Sequence, residues 1–259
     1  MRITESLLAP LRPGGRRAGA VLRQIEALPF ADIRHLTQAK PVLFLAPHPD
    51  DESIGCGGAI AAGIEAAQAI HVLILTDGAA SHPNSPTYPP DRLRALRAGE
   101  ARAAVAELGL GADRVGFLGQ PDGAAGRDNA TAEATVRAII QYARDHAIGT
   151  IVTTWRHDPH PDHQTAYRFG QQAAKELGIR LLQFPVWGWL LPPGRWIVEP
   201  RIAGFRLDIT PFLAAKRQAI AAHRSQTSNL ITDSSAGFTL PTDLLACHDR
   251  PFEAYLEAG

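Results

Sequence analysis

The stretch "PVLFLAPHPDDESIGCGG", residues 41–58, decides how this chain reads. It opens with a continuous apolar run, the pattern of a strand buried on both faces. The run ends at once in His48, Pro49 and three consecutive acids, Asp50, Asp51 and Glu52. Small residues follow, most of them glycine, and lead into a segment that reads as a helix over 54–68. A histidine and carboxylates crowded between strand end and helix start occupy the place where open α/β sheets hold their ligands.

Working outward, strand and helix keep alternating. "AIHVLILTDG" (69–78) is a second buried strand, 91–108 a helix, "RVGFLG" a third strand and 130–146 a helix. "GTIVTTW" (149–155) is a fourth strand, 164–177 a helix and "IRLLQFPVW" (179–187) another strand. The alternation predicts a Rossmann-like α/β fold, a mostly parallel sheet with helices on both faces. Residues 195–209 read as a C-terminal strand pair joined by a glycine turn, and 211–224 as the last helix. Residues 1–40, with a short helix over 18–27, read as an N-terminal extension packed on a single domain spanning 1–259. The polar loop "SHPNSPTY" (81–88) has the composition of a substrate lid.

Composition excludes some functions. Basic and acidic residues balance at 26 each, so no nucleic-acid partner and no polybasic membrane contact is expected. Two cysteines, Cys56 and Cys247, are too few for a disulfide scaffold or a cysteine zinc site, which suits a reducing cytoplasm. The N-terminus lacks the apolar stretch of a signal peptide, and no window reaches the length of a membrane span. A cytoplasmic protein is expected, with apolar loops that would allow packing in a homo-oligomer.

Two histidine clusters carry the chemistry: His48-Pro49-Asp50-Asp51 and His160-Pro161-Asp162-His163. With 10 histidines in the chain, one such pattern arises by chance about once. Two clusters, both containing H-P-D and both at predicted strand ends, do not. His48, Asp51 and His163 form a two-histidine, one-carboxylate set for a divalent metal. Three ligands leave a coordination position open, as catalytic sites do. Zinc is the first expectation, and Fe2+ or another divalent ion accepts the same donors. Asp50 would lie beside the metal as a base. A second reading uses "GCGG" and Asp77 as a dinucleotide site on a similar frame, making the protein an oxidoreductase. The third glycine of that motif is replaced by Ile60, and four residues separate strand from glycines.

"PHPDDES" with the later "HPDH" resembles the PIG-L family of zinc-dependent de-N-acetylases, the LmbE-like proteins. "LTDG" (75–78), "RALRAGEARAAVAELG" (94–109), "FLGQPDG" (117–123) and "AHRSQ" (222–226) resemble further segments of that family in the same order. The resemblance runs from about Pro41 to Gln226. It implies an LmbE-like fold and an N-deacetylase acting on a small N-acetyl amino sugar or its conjugate. It implies the same ligands, His48, Asp51 and His163, with Asp50 as general base. His160 is similar to the family's second active-site histidine, with Asp162 holding its orientation and charge, so that a protonated His160 would face the developing oxyanion. Arg97 and Asp122 correspond to substrate contacts. Either Asp50 or His160 would return the proton to the leaving amine. The chain departs from some members where a tyrosine precedes the second motif, because Asp158 stands there. A non-catalytic sugar-binding relative is a third reading.

Overall fold

The computed structural model describes residues 15–199 and 201–258, so residues 1–14 of the expected extension lie outside the described residues. The chain runs β1 (Gly15–Arg17), α1 (Ala18–Glu26), β2 (Phe30–Ala31), α2 (Ile33–Thr37), β3 (Val42–Ala46), α3 (Asp51–Glu65) and β4 (Ile70–Thr76). Next come α4 (Pro90–Glu107), β5 (Val115–Gln120), α5 (Asn129–Asp145), β6 (Thr150–Thr154), α6 (Pro161–Leu177) and β7 (Arg180–Phe184). The last elements are β8 (Trp196–Val198), β9 (Gly204–Asp208), α7 (Leu213–Ala222), α8 (Arg224–Thr227), α9 (Thr242–His248) and β10 (Phe252–Glu257).

The main sheet has the order β2-β9-β10-β7-β6-β3-β4-β5. From β7 to β5 every neighbouring pair is parallel. β10 runs antiparallel to both β7 and β9. β3 shows why its run is uninterrupted. Val42, Phe44 and Ala46 enter a core shared with α3 and α4, while Leu43 and Leu45 enter a second core with α5 and α6. A strand covered on both faces has no side on which a polar residue gains by exposure.

α3 explains the glycines. They lie inside the helix, not in a turn between strand and helix. A Cβ on Gly55 would come 2.3 Å from the Phe184 ring, and one on Gly58 would come 2.4 Å from Ile209. Glycine here permits close packing, and no phosphate-binding turn exists, so the dinucleotide reading fails on geometry. The buried carboxylate of Glu253 on β10 accepts from the Gly58 and Ala59 N–H groups at 2.8 and 2.9 Å, and Lys216 Nζ lies 2.7 Å from it. α3 begins at Asp51, earlier than the apolar pattern indicates, with Asp51 and Glu52 in a first turn that favours acids.

The expected strand pair over 195–209 is corrected. β8 pairs with β1 in a separate two-stranded sheet, whereas β9 pairs with β10 and β2. The antiparallel pair at the C-terminus is therefore β9–β10. Among the described residues no helix is long and apolar enough to cross a membrane. Both cysteines are free.

The chain proceeds from β3 to β4 and β5 on one side and to β6 and β7 on the other. The order reverses between β3 and β6, which opens a crevice at their carboxyl ends. His48 follows β3 and His160 follows β6, so the two clusters meet there.

Candidate active site

The loop from Pro47 to Asp50 and the first turn of α3 supply the first group of side chains. His48 Nδ1 lies 3.1 Å from Asp51 Oδ2, and the His48 N–H donates to the same oxygen at 3.0 Å. The loop after β6 and the first turn of α6 supply the second group. His163 Nε2 lies 3.2 Å from Asp51 Oδ2, so one carboxylate oxygen faces two imidazoles. His163 is wholly buried, and its Nε2 has no hydrogen-bond partner. The three side chains expected as metal ligands are thus together.

Each imidazole is held from behind by another carboxylate. His48 Nε2 lies 3.1 Å from Asp162 Oδ2 and 3.3 Å from Asp122 Oδ1. His163 Nδ1 lies 3.0 Å from Asp158 Oδ2. Asp158 also accepts from the Val186 N–H at 3.0 Å and from the Gly188 N–H. A ligating histidine whose other ring nitrogen donates to a carboxylate has its tautomer and orientation set. The residue that stands near the family's tyrosine therefore braces His163.

Among the described residues, two groups of donors lie close enough to share an ion: His48, His160 and His163, and His48, Asp122 and Asp162. The second group is already engaged. Asp162 accepts from the Gly123 N–H at 2.7 Å and the Ala125 N–H at 3.1 Å, and Asp122 accepts from the Ala80 N–H at 3.0 Å. The ring nitrogen of His163 that has no hydrogen-bond partner lies on the side where Asp51 stands.

The site favours positive charge. Burial opposes the His163 imidazolium, yet Asp51 and Asp158 raise it to about 9. Burial likewise opposes charge on His48, and Asp122, Asp162 and Asp51 outweigh it and raise it well above the usual range. Burial works against the Asp51 carboxylate too, but His163 and His48 hold its pKa well below the ordinary range. Asp50 differs. Burial pushes it up to about 7, against the pull of Arg97 and with a push from Asp51.

Three roles read from the sequence resemblance look different in place. The Asp162 carboxylate goes to His48 and to the loop 123–125, not to His160. His160 Nδ1 accepts instead from the Asp162 backbone N–H at 3.2 Å. Burial and the neighbouring His48 and His163 push His160 down to about 4, which disfavours its cationic form. Arg97 is 3% exposed and turns inward, donating to Gly78 O, Pro49 O and Asp50 Oδ2 at 3.0, 2.7 and 3.1 Å. Of the expected site residues, Asp122 and His160 are the half-buried pair at the mouth, each with a charged or ring atom near His48.

The expected lid is hydrogen-bonded to the segment 233–238. Ser81 O accepts from the Phe238 N–H, Ser85 Oγ donates to Asp233, and the Ser234 hydroxyl donates to Pro83 O. Trp187, between the two residues that grip Asp158, stands 6.0 Å from the Phe238 ring. The sequence reading missed Asp158 as a partner of His163. The signal was its place five residues ahead of His163 in a run of histidine and aspartate.

The family model described as GlcNAc-PI de-N-acetylase, PIG-L, matches residues 43–174. The chain belongs to the PIG-L family. A 1D-myo-inositol 2-acetamido-2-deoxy-alpha-D-glucopyranoside deacetylase of Mycolicibacterium vanbaalenii is 27% identical over 271 residues, covering 84% of this chain and 90% of that protein. A protein of the same description from Kineococcus radiotolerans is 34% identical over 123 residues, which span 46% of this chain and only 34% of that relative. The N,N'-diacetylchitobiose deacetylase of Pyrococcus horikoshii shares the fold, with a TM-score of 0.60, 18% identity and 91% of each chain covered. The PIG-L match covers both histidine clusters and the α4 segment with Arg97.

Proposed function

We propose that this PIG-L protein is a metal-dependent hydrolase that removes the acetyl group from an N-acetylated amino sugar or its conjugate. The observation that carries this reading is the buried, unpartnered Nε2 of His163 facing Asp51 Oδ2, the same oxygen that faces His48 Nδ1. Two imidazoles and a carboxylate, each imidazole backed by a further acid, suit zinc, and also Fe2+. Held by His48, Asp51 and His163, such an ion would polarise the acetyl carbonyl and acidify the attacking water.

Asp50 is the base that takes the proton from that water. Its pKa of about 7 leaves it able both to accept a proton and to release one near neutral pH. It then delivers the proton to the amine nitrogen as the C–N bond breaks, and the acetyl group leaves as acetate. His160 serves as a neutral donor. Its Nδ1 accepts from the Asp162 N–H, so its own proton sits on Nε2, available to the carbonyl oxygen where negative charge grows. Asp122 at the mouth accepts from sugar hydroxyls. The acetamido-sugar names of the relatives support that substrate class.

The test is metal content of the native protein beside His163→Ala, followed by acetate release from acetamido sugars. About one zinc or iron per chain, lost in the variant, and acetate release lost in Asp50→Asn with metal retained, is the expected result. No uptake of any divalent ion by the native protein defeats the reading. Sugar binding without acetate release points to a non-catalytic binding protein instead.

A further inference from the structure

Asp50 has φ +149° and ψ −29°. L residues rarely adopt that conformation, and glycine, which lacks a Cβ, tolerates it better. The other non-glycine residues with positive φ among those described lie between +50° and +61°, in the ordinary left-handed well. Asp50 alone departs from it, at the position read above as the base. A strained backbone persists only where neighbours over-determine it.

The neighbour is Glu52. Its Oε2 accepts from the Asp50 N–H at 3.0 Å. Its Oε1 accepts from the Ser53 hydroxyl at 2.8 Å and lies 3.0 Å from His223 Nε2. Glu52 and His223 are both fully buried. His223 is fixed in turn by its place before α8, where Ser225 is tied to Glu100 of α4 by two bonds of 2.8 and 2.6 Å. One turn earlier on α4, Arg97 grips Pro49 O and Asp50 Oδ2. The segments "RALRAGE" and "AHRSQ", which the mechanism otherwise leaves unused, thus form one buried polar layer behind Asp50. First-turn acids commonly reach back to the N-cap N–H, but here that N–H belongs to the strained residue and the same carboxylate is tied to the buried His223. Glu52 thus links the strained turn to the layer formed by His223.

We propose that Glu52, anchored by His223, is the positioning residue of Asp50. Its hydrogen bond to the Asp50 N–H holds the strained turn that keeps the Asp50 carboxylate between Arg97 and Asp51. The proposal rests on the reading of Asp50 as the base, and its test has one arm that needs no activity.

In the first arm, unfolding midpoints are compared for Asp50→Gly and Asp50→Ala, which both lack the carboxylate and differ in tolerance of this φ. With Glu52 in place, the glycine variant should be more stable by roughly 2–6 °C. Adding Glu52→Ala frees the turn to relax, so the gap should close or reverse. An unchanged gap, or no gap with Glu52 in place, overturns the proposal. In the second arm, Glu52→Ala should lower kcat by about 10²-fold, with KM within about threefold and metal content unchanged. Glu52→Gln keeps an oxygen for the Asp50 N–H and should recover at least about tenfold of that loss. A glutamine variant no better than alanine, or kcat, KM and metal lost together, overturns it. If truncation unfolds the chain, Glu52→Met fills the volume without an acceptor and replaces alanine in both arms. Absence of hydrolysis by the native protein would defeat the deacetylase reading alone and leave the first arm decisive.

Discussion

Replacing Asp158 by asparagine isolates what a carboxylate does behind His163. Oδ2 of Asp158 takes two donors, His163 Nδ1 and the Val186 N–H, each at 3.0 Å, and Oδ1 takes the Gly188 N–H. An amide has one oxygen and cannot meet all three donors. If its oxygen stays on His163, its NH2 opposes the Gly188 N–H. If it flips, its NH2 faces His163, and the ring must move its proton to Nε2, the nitrogen proposed to hold the metal. Either outcome leaves a buried donor unpaired, at a cost of ~1–3 kcal/mol. For a chain of this length that lowers the unfolding midpoint by roughly 2–12 °C. Loss of the brace should weaken metal binding by about 10- to 100-fold, or ~1.4–2.8 kcal/mol. Competition against a chromophoric chelator measures the affinity, and calorimetry the midpoint. If the variant binds metal within about threefold of the native protein while its midpoint falls, Asp158 braces the loop only and the argument for His163 is refuted.

Gly58→Ala should destabilise. The added Cβ meets the buried Ile209 at 2.4–2.8 Å, an overpacking cost of ~1–3 kcal/mol that exceeds the ~1 kcal/mol alanine gains in a helix. An unchanged or raised midpoint in thermal unfolding would show that α3 has room to spare. Acid should also weaken the fold through His248. Burial, with Lys216 nearby, pushes its pKa down to about 3, while the unfolded chain titrates near 6.5. The unfolded state therefore takes up a proton that the native state refuses. Stability is full above about pH 6.5 and falls toward about pH 3, by at most ~1.4 kcal/mol per pH unit from this group. Chemical denaturation of native protein and His248→Gln across that range should show a shallower acid limb in the variant, and parallel limbs would remove His248 from the account.

The two histidine motifs were legible because each is contiguous and sits at the end of an apolar run. The strand-helix alternation followed from period and length alone, and observed helices such as Pro90–Glu107 and Asn129–Asp145 fall within a residue of the expected ranges. β10 was illegible. Its six residues include the buried acid Glu253, which lies in the core because Lys216, Tyr255 and two helix N–H groups of α3 meet it. The split of β8 from β9 was illegible for a related reason, since their partners, β1 and β10, lie far away along the chain.

By itself the sequence determined the kind of fold, the crevice and the side chains that gather in it, because periodicity and short motifs are local. Tertiary structure decided what those side chains do to one another. It turned Arg97 inward onto Asp50, gave Asp162 to His48, gave Asp158 to His163 and set Glu52 against a strained backbone. Hydrogen bonds and charge act over a few ångströms of space, and residues dozens of positions apart in the chain reach that distance only once the sheet has assembled.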